Sequence, residues 1–204
     1  GNMFQSNQAY ALAKNTFPIL AGETGAIGFG AVLAAAVGLV IIGGIRRIGE
    51  VAGRLVPVMC VIYLASGLLI LAVHASEVPA ALATIFERAF SWEAGFGGFV
   101  GTLIQGFRRA AFSNEAGTGS APIAHSAAST NEPVREGMVA LLEPFIDTVV
   151  ICTMTALVIL VAEGSYPAEG GGVVSYAWQS TLNSSAITTA AFASAIPGGQ
   201  FVIT

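Results

Sequence analysis

The residues best suited to chemistry lie in the run FSNEAGTGS at residues 112–120. This run places Ser113, Asn114 and Thr118 among small residues, and apolar segments flank it on both sides. Hydroxyl and amide side chains both donate and accept hydrogen bonds, which suits the binding of a small polar solute. We interpret the run as a break in a helix around residues 112–121, whose exposed backbone and small side chains contact such a solute.

The glycines and a proline explain how a helix could stop and restart here. Gly117 and Gly119 relax the steric limits on the backbone, and Pro122 suits the first turn of a new helix. The N–H groups of that turn carry about half a positive charge and favour a carboxylate. The free carbonyls of the preceding helix favour an ammonium group, so an amino acid fits both ends. The alternative is a glycine-rich surface loop; a dinucleotide fingerprint is excluded because the third glycine and the preceding strand are missing.

Asp147 is the second candidate, since it is the only aspartate in the chain and lies in the apolar run 137–162. Glu143 precedes it by four residues, so the two carboxylates share a face of an α-helix. At the α-helical rise Asp147 lies about 15 Å into the span, near the midplane of a hydrocarbon core about 30 Å thick. An unpaired charge at that depth costs at least about 2.5 kcal/mol, so Asp147 needs a partner.

Two interpretations of Asp147 remain open. It either forms a structural contact, with Arg108, Arg109 or the hydroxyls of Thr148 and Ser113, or it binds a coupling ion or a proton directly. Pro144 lacks an N–H group and is predicted to kink the span nearby, which opens space for either contact.

The remaining chemically active residues indicate neither an enzyme nor a metal site. His74 and His125 lie far apart without matching ligands, and Cys60 and Cys152 fall in apolar runs, where cysteine acts as a small hydrophobe. An intramembrane enzyme built on His125 and the acidic pair lacks a nucleophile–base pairing. We therefore predict no metal, no disulfide and no catalytic activity.

The composition is that of an integral membrane protein. Of the 204 residues, 54% are hydrophobic and 10% are charged, against about 25% charged residues in soluble domains. The mean hydropathy is +0.75. The net charge of −4 is spread over several loops and predicts no nucleic-acid partner.

The apolar runs predict a single all-α membrane domain with four spans. The predicted segments are a helix end at 1–14, spans at 26–44, 55–75, 94–129 (containing the break) and 137–162, surface segments at 76–93 and 163–198, and the start of a further span at 199–204.

Arginines predict the orientation of these spans. Arg46, Arg47 and Arg54 fall in the loop 45–54, and Arg135 falls in the loop 126–136. By the positive-inside rule both loops are predicted to be cytoplasmic, and the broken span then runs from outside to inside.

Five ordered blocks carry a resemblance to a known family. They are NMFQSN at 2–7, IIGGIRRIGEV at 41–51, RLVPVMCVIY at 54–63, FSNEAGTGSAPIAH at 112–125 and FIDTVVICTMTALVIL at 145–160. The chain closely resembles the alanine/glycine:cation symporter family over nearly its whole length, and the fourth block is the most specific.

The resemblance implies sodium-coupled symport of alanine, glycine and similar small neutral amino acids across a bacterial inner membrane, with Na⁺ as the coupling ion and no other cofactor. It implies the 5+5 inverted-repeat (LeuT-like) fold of amino acid–polyamine–cation transporters, which has two broken helices. This chain is then a fragment whose partners are the solute, Na⁺, the lipid bilayer and the missing transmembrane helices of the full-length protein.

The family's roles transfer to matching positions of this sequence. The implied substrate-binding residues are Gln5, Ser113, Asn114, Gly117 and Thr118, and the ion-coupling candidates are Asp147 and Thr148. A passive channel or facilitator that uses the same polar gap is the alternative function, and it differs because it cannot concentrate its solute.

Overall fold

The computed structural model describes residues 2–89, 98, 100–101, 103–104, 106–107, 119–168, 172–182 and 185–203. These residues are mostly helical. They divide into two compact units, one of Gly1–His74 with Val158–Thr204 and the other of Ala75–Leu157, and each is described by itself.

The first unit begins with two helices joined by a tight connection. Helix α1 spans Asn2–Thr16 and α2 spans Glu23–Ile41, with a 3₁₀ turn at Pro18–Leu20 between them. Phe17 has extended backbone angles, as expected of a residue that precedes proline. The Tyr10 hydroxyl donates hydrogen bonds to the carbonyls of Leu20 at 3.0 Å and Gly22 at 3.3 Å, which ties α1 to the start of α2.

Helix α3 spans Gly44–Val73 and is longer than the sequence predicts. Residues 45–54, predicted as a loop, are helical, and Pro57 lies inside the helix rather than near its beginning. The amphipathic sequence explains this difference. Arg54 and Glu50 form an ion pair at 2.9 Å one turn apart, a spacing that supports an exposed helix.

The second unit contains the described part of the predicted broken span. Helix α4 spans Val78–Ala89, α5 spans Ser120–His125 and α6 spans Pro133–Pro144. The backbone changes to π-helix over Phe145–Cys152 and returns to α-helix in α7, Thr153–Val161, whose last residues belong to the first unit. The centre of the predicted break, 112–118, lies outside the described residues.

Residues 163–176 correct the prediction of an all-α chain. Strand β1 spans Glu163–Pro167 and strand β2 spans Val173–Tyr176. They pair antiparallel, with Tyr166 opposite Val174. Valine and tyrosine favour strands, and this signal is hidden in the sequence by the surrounding glycines.

The core of the first unit forms around α8, Ser185–Ala195, which is followed by the short α9, Gln200–Ile203. Phe192 is fully buried, and its ring stacks on Tyr63 of α3 with centroids 5.4 Å apart. The Tyr166 hydroxyl of β1 lies 2.5 Å from the Ser194 Oγ. Through these contacts, α3 packs on α8 at Phe192 and the hairpin packs on α8 at Ser194.

Candidate functional site

The predicted substrate-binding residues are only partly visible. Ser113, Asn114, Gly117 and Thr118 lie outside the described residues. Gln5 lies on α1 in the first unit, where its side chain is exposed. Its role in binding a solute therefore stays a prediction.

Gln5, Ser6 and Gln8 form a polar stripe on α1, and Gln8, one turn after Gln5, contacts another helix. The Ser185 Oγ at the start of α8 donates a hydrogen bond of 2.8 Å to Gln8 Oε1. The sequence predicts that the polar residues of this helix end face other helices or a water-filled cavity, and for Gln8 the contact is with a helix. Because Gln5 and Gln8 are three residues apart, they lie on neighbouring positions of one helix face.

A helix begins after Gly119, on the C-terminal side of the predicted break. Gly119 has φ of 86° and ψ of −4°, in the left-handed region, and α5 begins at the next residue. A Cβ at this position would meet no atom within 4 Å, so glycine serves the backbone angle and not a close approach. The helix ends before residue 129, where the predicted broken span ends, because the chain turns after His125.

His125 joins this short helix to the start of the next span. Its Nδ1 lies 2.6 Å from Glu136 Oε1, and its Nε2 lies 3.7 Å from Glu143 Oε2. Both glutamates belong to α6. The sequence shows that the two glutamates are seven residues apart, which places them on one face of an α-helix; their meeting with His125 depends on the turn between the helices.

The ion-coupling candidates lie in the π-helical segment. Asp147 is half-buried and Thr148 is exposed, and both make interactions within the chain. The segment begins directly after Pro144, where the missing N–H interrupts the α-helical bonding pattern. The predicted distortion at Pro144 thus takes the form of a change in helix type, and such π segments frequently mark functional sites.

The described residues offer carbonyl, hydroxyl and carboxylate oxygens rather than a metal-binding cluster. Within the described ranges, no group of three or more His, Cys, Asp or Glu side chains is placed to hold a metal ion. Within the same ranges, Cys60 and Cys152 are not joined in a disulfide.

The helices define the class of protein. Among the residues that the structure describes, three helices are long and apolar enough to cross a membrane: Glu23–Ile41, Gly44–Val73 and Pro133–Val161. Large apolar side chains along them are exposed, as suits contact with lipid or with other helices. The chain is part of a multi-pass helical membrane protein.

The profile of the sodium:alanine symporter family matches residues 1–204. The chain belongs to this family. This family is one of transporters, and the resemblance of the five sequence blocks is confirmed.

Similar proteins come from an archaeon and from bacteria. The sodium/alanine symporter AgcS of Methanococcus maripaludis is 40% identical over 100% of this chain and 42% of its own length. The "Probable sodium/glutamine symporter GlnT" of Bacillus subtilis is 36% identical over 84% of this chain and 35% of its own length. The amino-acid carrier protein AlsT of the same bacterium is 38% identical over 70% of this chain and 30% of its own length. The chain thus spans less than half of each relative.

Proposed function

We propose that the full-length protein containing this chain is a sodium-coupled symporter of small neutral amino acids, with alanine and glycine as substrates. It works by alternating access in the inner membrane of a bacterium, and the solute binds where the broken helix is unwound. The family membership supports the transport class, and the names of the relatives support sodium as the coupling ion and an amino acid as the solute.

The observation that supports the proposed site is the start of a helix directly after a left-handed glycine. Non-helical backbone at membrane depth is tolerated only where it is buried in protein or lines a cavity. Gly119 and α5 supply one side of such a segment. Ser113, Asn114, Gly117 and Thr118 then contact the solute together with Gln5.

The ion site is proposed at Asp147 and Thr148. The π-helix that begins at Phe145 interrupts the α-helix within a span that is otherwise apolar. A half-buried carboxylate in such a segment is suited to a cation. Coupling follows if Na⁺ binding on this span stabilises the conformation that binds the solute.

The inverted-repeat architecture is part of the same proposal. In a 5+5 fold the solute and ion sites lie near the midplane at the interface of two repeats, and each repeat contributes a broken helix. This chain would contribute the second broken helix, and the rest of the full-length protein would contribute the first.

The test is uphill accumulation of labelled alanine by liposomes that contain the full-length protein. An inward sodium gradient is expected to concentrate alanine above its outside level, and a sodium ionophore is expected to abolish the accumulation. Uptake that only equilibrates would replace the symporter with a facilitator, since a passive path cannot concentrate its solute.

Competition defines the substrate class in the same vesicles. Because the side chains around the proposed gap are small, excess glycine is expected to suppress alanine uptake more strongly than excess glutamine. Stronger suppression by glutamine would contradict the assignment to small amino acids.

A further inference from the structure

His125 is held between two carboxylates of the neighbouring helix. The side chains of His125 and Glu136 are 25% and 26% exposed, and that of Glu143 is 52% exposed. His125 and Glu136 also line an open groove of about 530 Å³ between α5 and α6. His125 and Glu136 are thus largely buried by the unit itself, and Glu143 is more exposed.

The two contacts differ in kind. The distance of 2.6 Å from Nδ1 to Glu136 Oε1 is a hydrogen bond, in which the ring N–H donates. The distance of 3.7 Å from Nε2 to Glu143 Oε2 is too long for a hydrogen bond. It is an ion-pair contact, so its attraction depends on the charge of the imidazole ring.

A proton changes what the ring can do in this position. A neutral imidazole has one N–H donor, whereas the imidazolium ion has two donors and a positive charge. The neutral ring can keep its hydrogen bond to Glu136, but it then presents a lone pair towards the Glu143 carboxylate. Histidine is the side chain that ordinarily gains or loses a proton near neutral pH.

The charged groups around the cluster are accounted for within the described residues. Helix α5 carries no titratable side chain other than His125. In the connection to α6, Glu132 pairs with Arg135 at 2.9 Å, and both side chains are largely exposed. Glu136 and Glu143 are therefore the groups that face the ring from α6.

We propose that His125, Glu136 and Glu143 form a proton-operated latch that holds α5 against α6. The latch is closed when the ring is protonated, because His125 then attracts both carboxylates. It loosens when the ring loses a proton, because only the bond to Glu136 persists. The latch follows from contacts within one unit and does not depend on the solute.

Distance measurement between spin labels tests the latch directly. The labels are placed on the exposed outer faces of α5 and α6 at Ile123→Cys and Leu141→Cys, which are 70% and 74% exposed, in full-length protein whose natural cysteines are replaced. Double electron–electron resonance is recorded in lipid nanodiscs at about pH 5.5 and about pH 8.5, below and above the reference pKa of histidine. A narrow distance distribution is expected at the lower pH and a broader one at the higher pH.

Substitutions assign the change to the cluster. His125→Gln is expected to lose the pH dependence, because an amide does not titrate in this range. Glu143→Gln keeps the Glu136 bond and is also expected to lose it, which provides a second test if the first variant does not fold. Glu132→Gln disrupts the exposed pair nearby and should retain the pH dependence. The proposal is overturned if the distribution is the same at both pH values, or if its pH dependence survives in His125→Gln or Glu143→Gln.

The readout is independent of transport. A protein that fails to accumulate alanine but shows the pH-dependent distance would retain the latch and lose the symport proposal. A protein that transports alanine without a pH-dependent distance would retain the symport proposal and lose the latch.

Discussion

At the scale of single residues, the acidic side chain of Asp147 carries the most specific functional expectation. It is the only aspartate in the chain, and it is half-buried in a segment that departs from α-helical winding. A carboxylate in such surroundings is stabilised by a cation or by hydrogen bonds, and removing its charge should affect a bound cation more than the packing of the span.

Asp147→Asn is therefore expected to raise the sodium concentration for half-maximal alanine uptake by about tenfold or more, since a hydrogen bond or contact to a charged group contributes roughly 1.5–3 kcal/mol. Uptake is measured in liposomes over a range of sodium concentrations at fixed alanine. The matched control is Glu50→Gln, an exposed carboxylate paired with Arg54, which should leave the sodium dependence unchanged. An unaltered sodium dependence in Asp147→Asn would remove this residue from the ion site.

The sequence predicts which residues need partners better than it predicts the partners themselves. The polar stripe of α1 indicates a contact with another helix, and Gln8 makes one with Ser185 at 2.8 Å. The sequence does not identify His125 and Glu136 as a pair, because their approach depends on the turn at residues 126–132. Turn geometry is set by a few backbone angles, and an apolar–polar pattern carries no information about them.

At the scale of elements, the apolar runs predict where helices exist but not how they are wound or where they end. The predicted spans 26–44, 55–75 and 137–162 correspond to the helices Glu23–Ile41, Gly44–Val73 and Pro133–Val161. The α3 extension, the π-helical segment and the β-hairpin are not predicted. The α3 extension is supported by the Glu50–Arg54 ion pair, and the π-helical segment follows Pro144, which lacks an N–H group. Hydropathy carries no information about such local features.

The left-handed residue at the start of α5 permits a sharp test of the helix restart. Gly119→Ala is expected to destabilise the full-length protein by about 1–2 kcal/mol, because an L-residue is strained at positive φ. Since a Cβ here meets no atom within 4 Å, the cost comes from the backbone alone. Gly119→Asn should cost less, because asparagine tolerates this region better than alanine. Equilibrium unfolding in mixed micelles measures both.

A second glycine supplies a control in which the same substitution is expected to change stability in the opposite direction. Gly137 lies within α6 and also has open space around its Cβ position. Gly137→Ala should stabilise the protein by roughly 0.5–1 kcal/mol, because glycine is unfavourable inside a helix. If Gly119→Ala and Gly137→Ala change stability in the same direction, the left-handed conformation at residue 119 is wrong.

At the scale of the whole molecule, the long helices and the arginines together predict how the chain crosses the bilayer. The helix Pro133–Val161 has 29 residues and is about 40 Å long at the α-helical rise, more than the thickness of a hydrocarbon core of about 30 Å. If this helix crosses the bilayer, we expect the segments before and after it in the sequence, 126–132 and 163–176, on opposite sides of the membrane. The three arginines near the start of α3 and Arg135 near the start of α6 favour a cytoplasmic location for the starts of both helices. Segment 163–176 is then expected outside.

Labelling with a membrane-impermeant maleimide tests this topology in cells that express the full-length protein without its natural cysteines. Val173→Cys, on the hairpin and 71% exposed, is expected to react in intact cells. Ser129→Cys, in the exposed connection before α6, is expected to react only after the membrane is permeabilised. Val37→Cys, within the apolar helix α2, should react in neither case because the reagent does not enter the bilayer. Reaction of both loop positions from the same side would show that Pro133–Val161 does not cross, and the reversed pattern would show that the positive-inside assignment of the arginines is wrong.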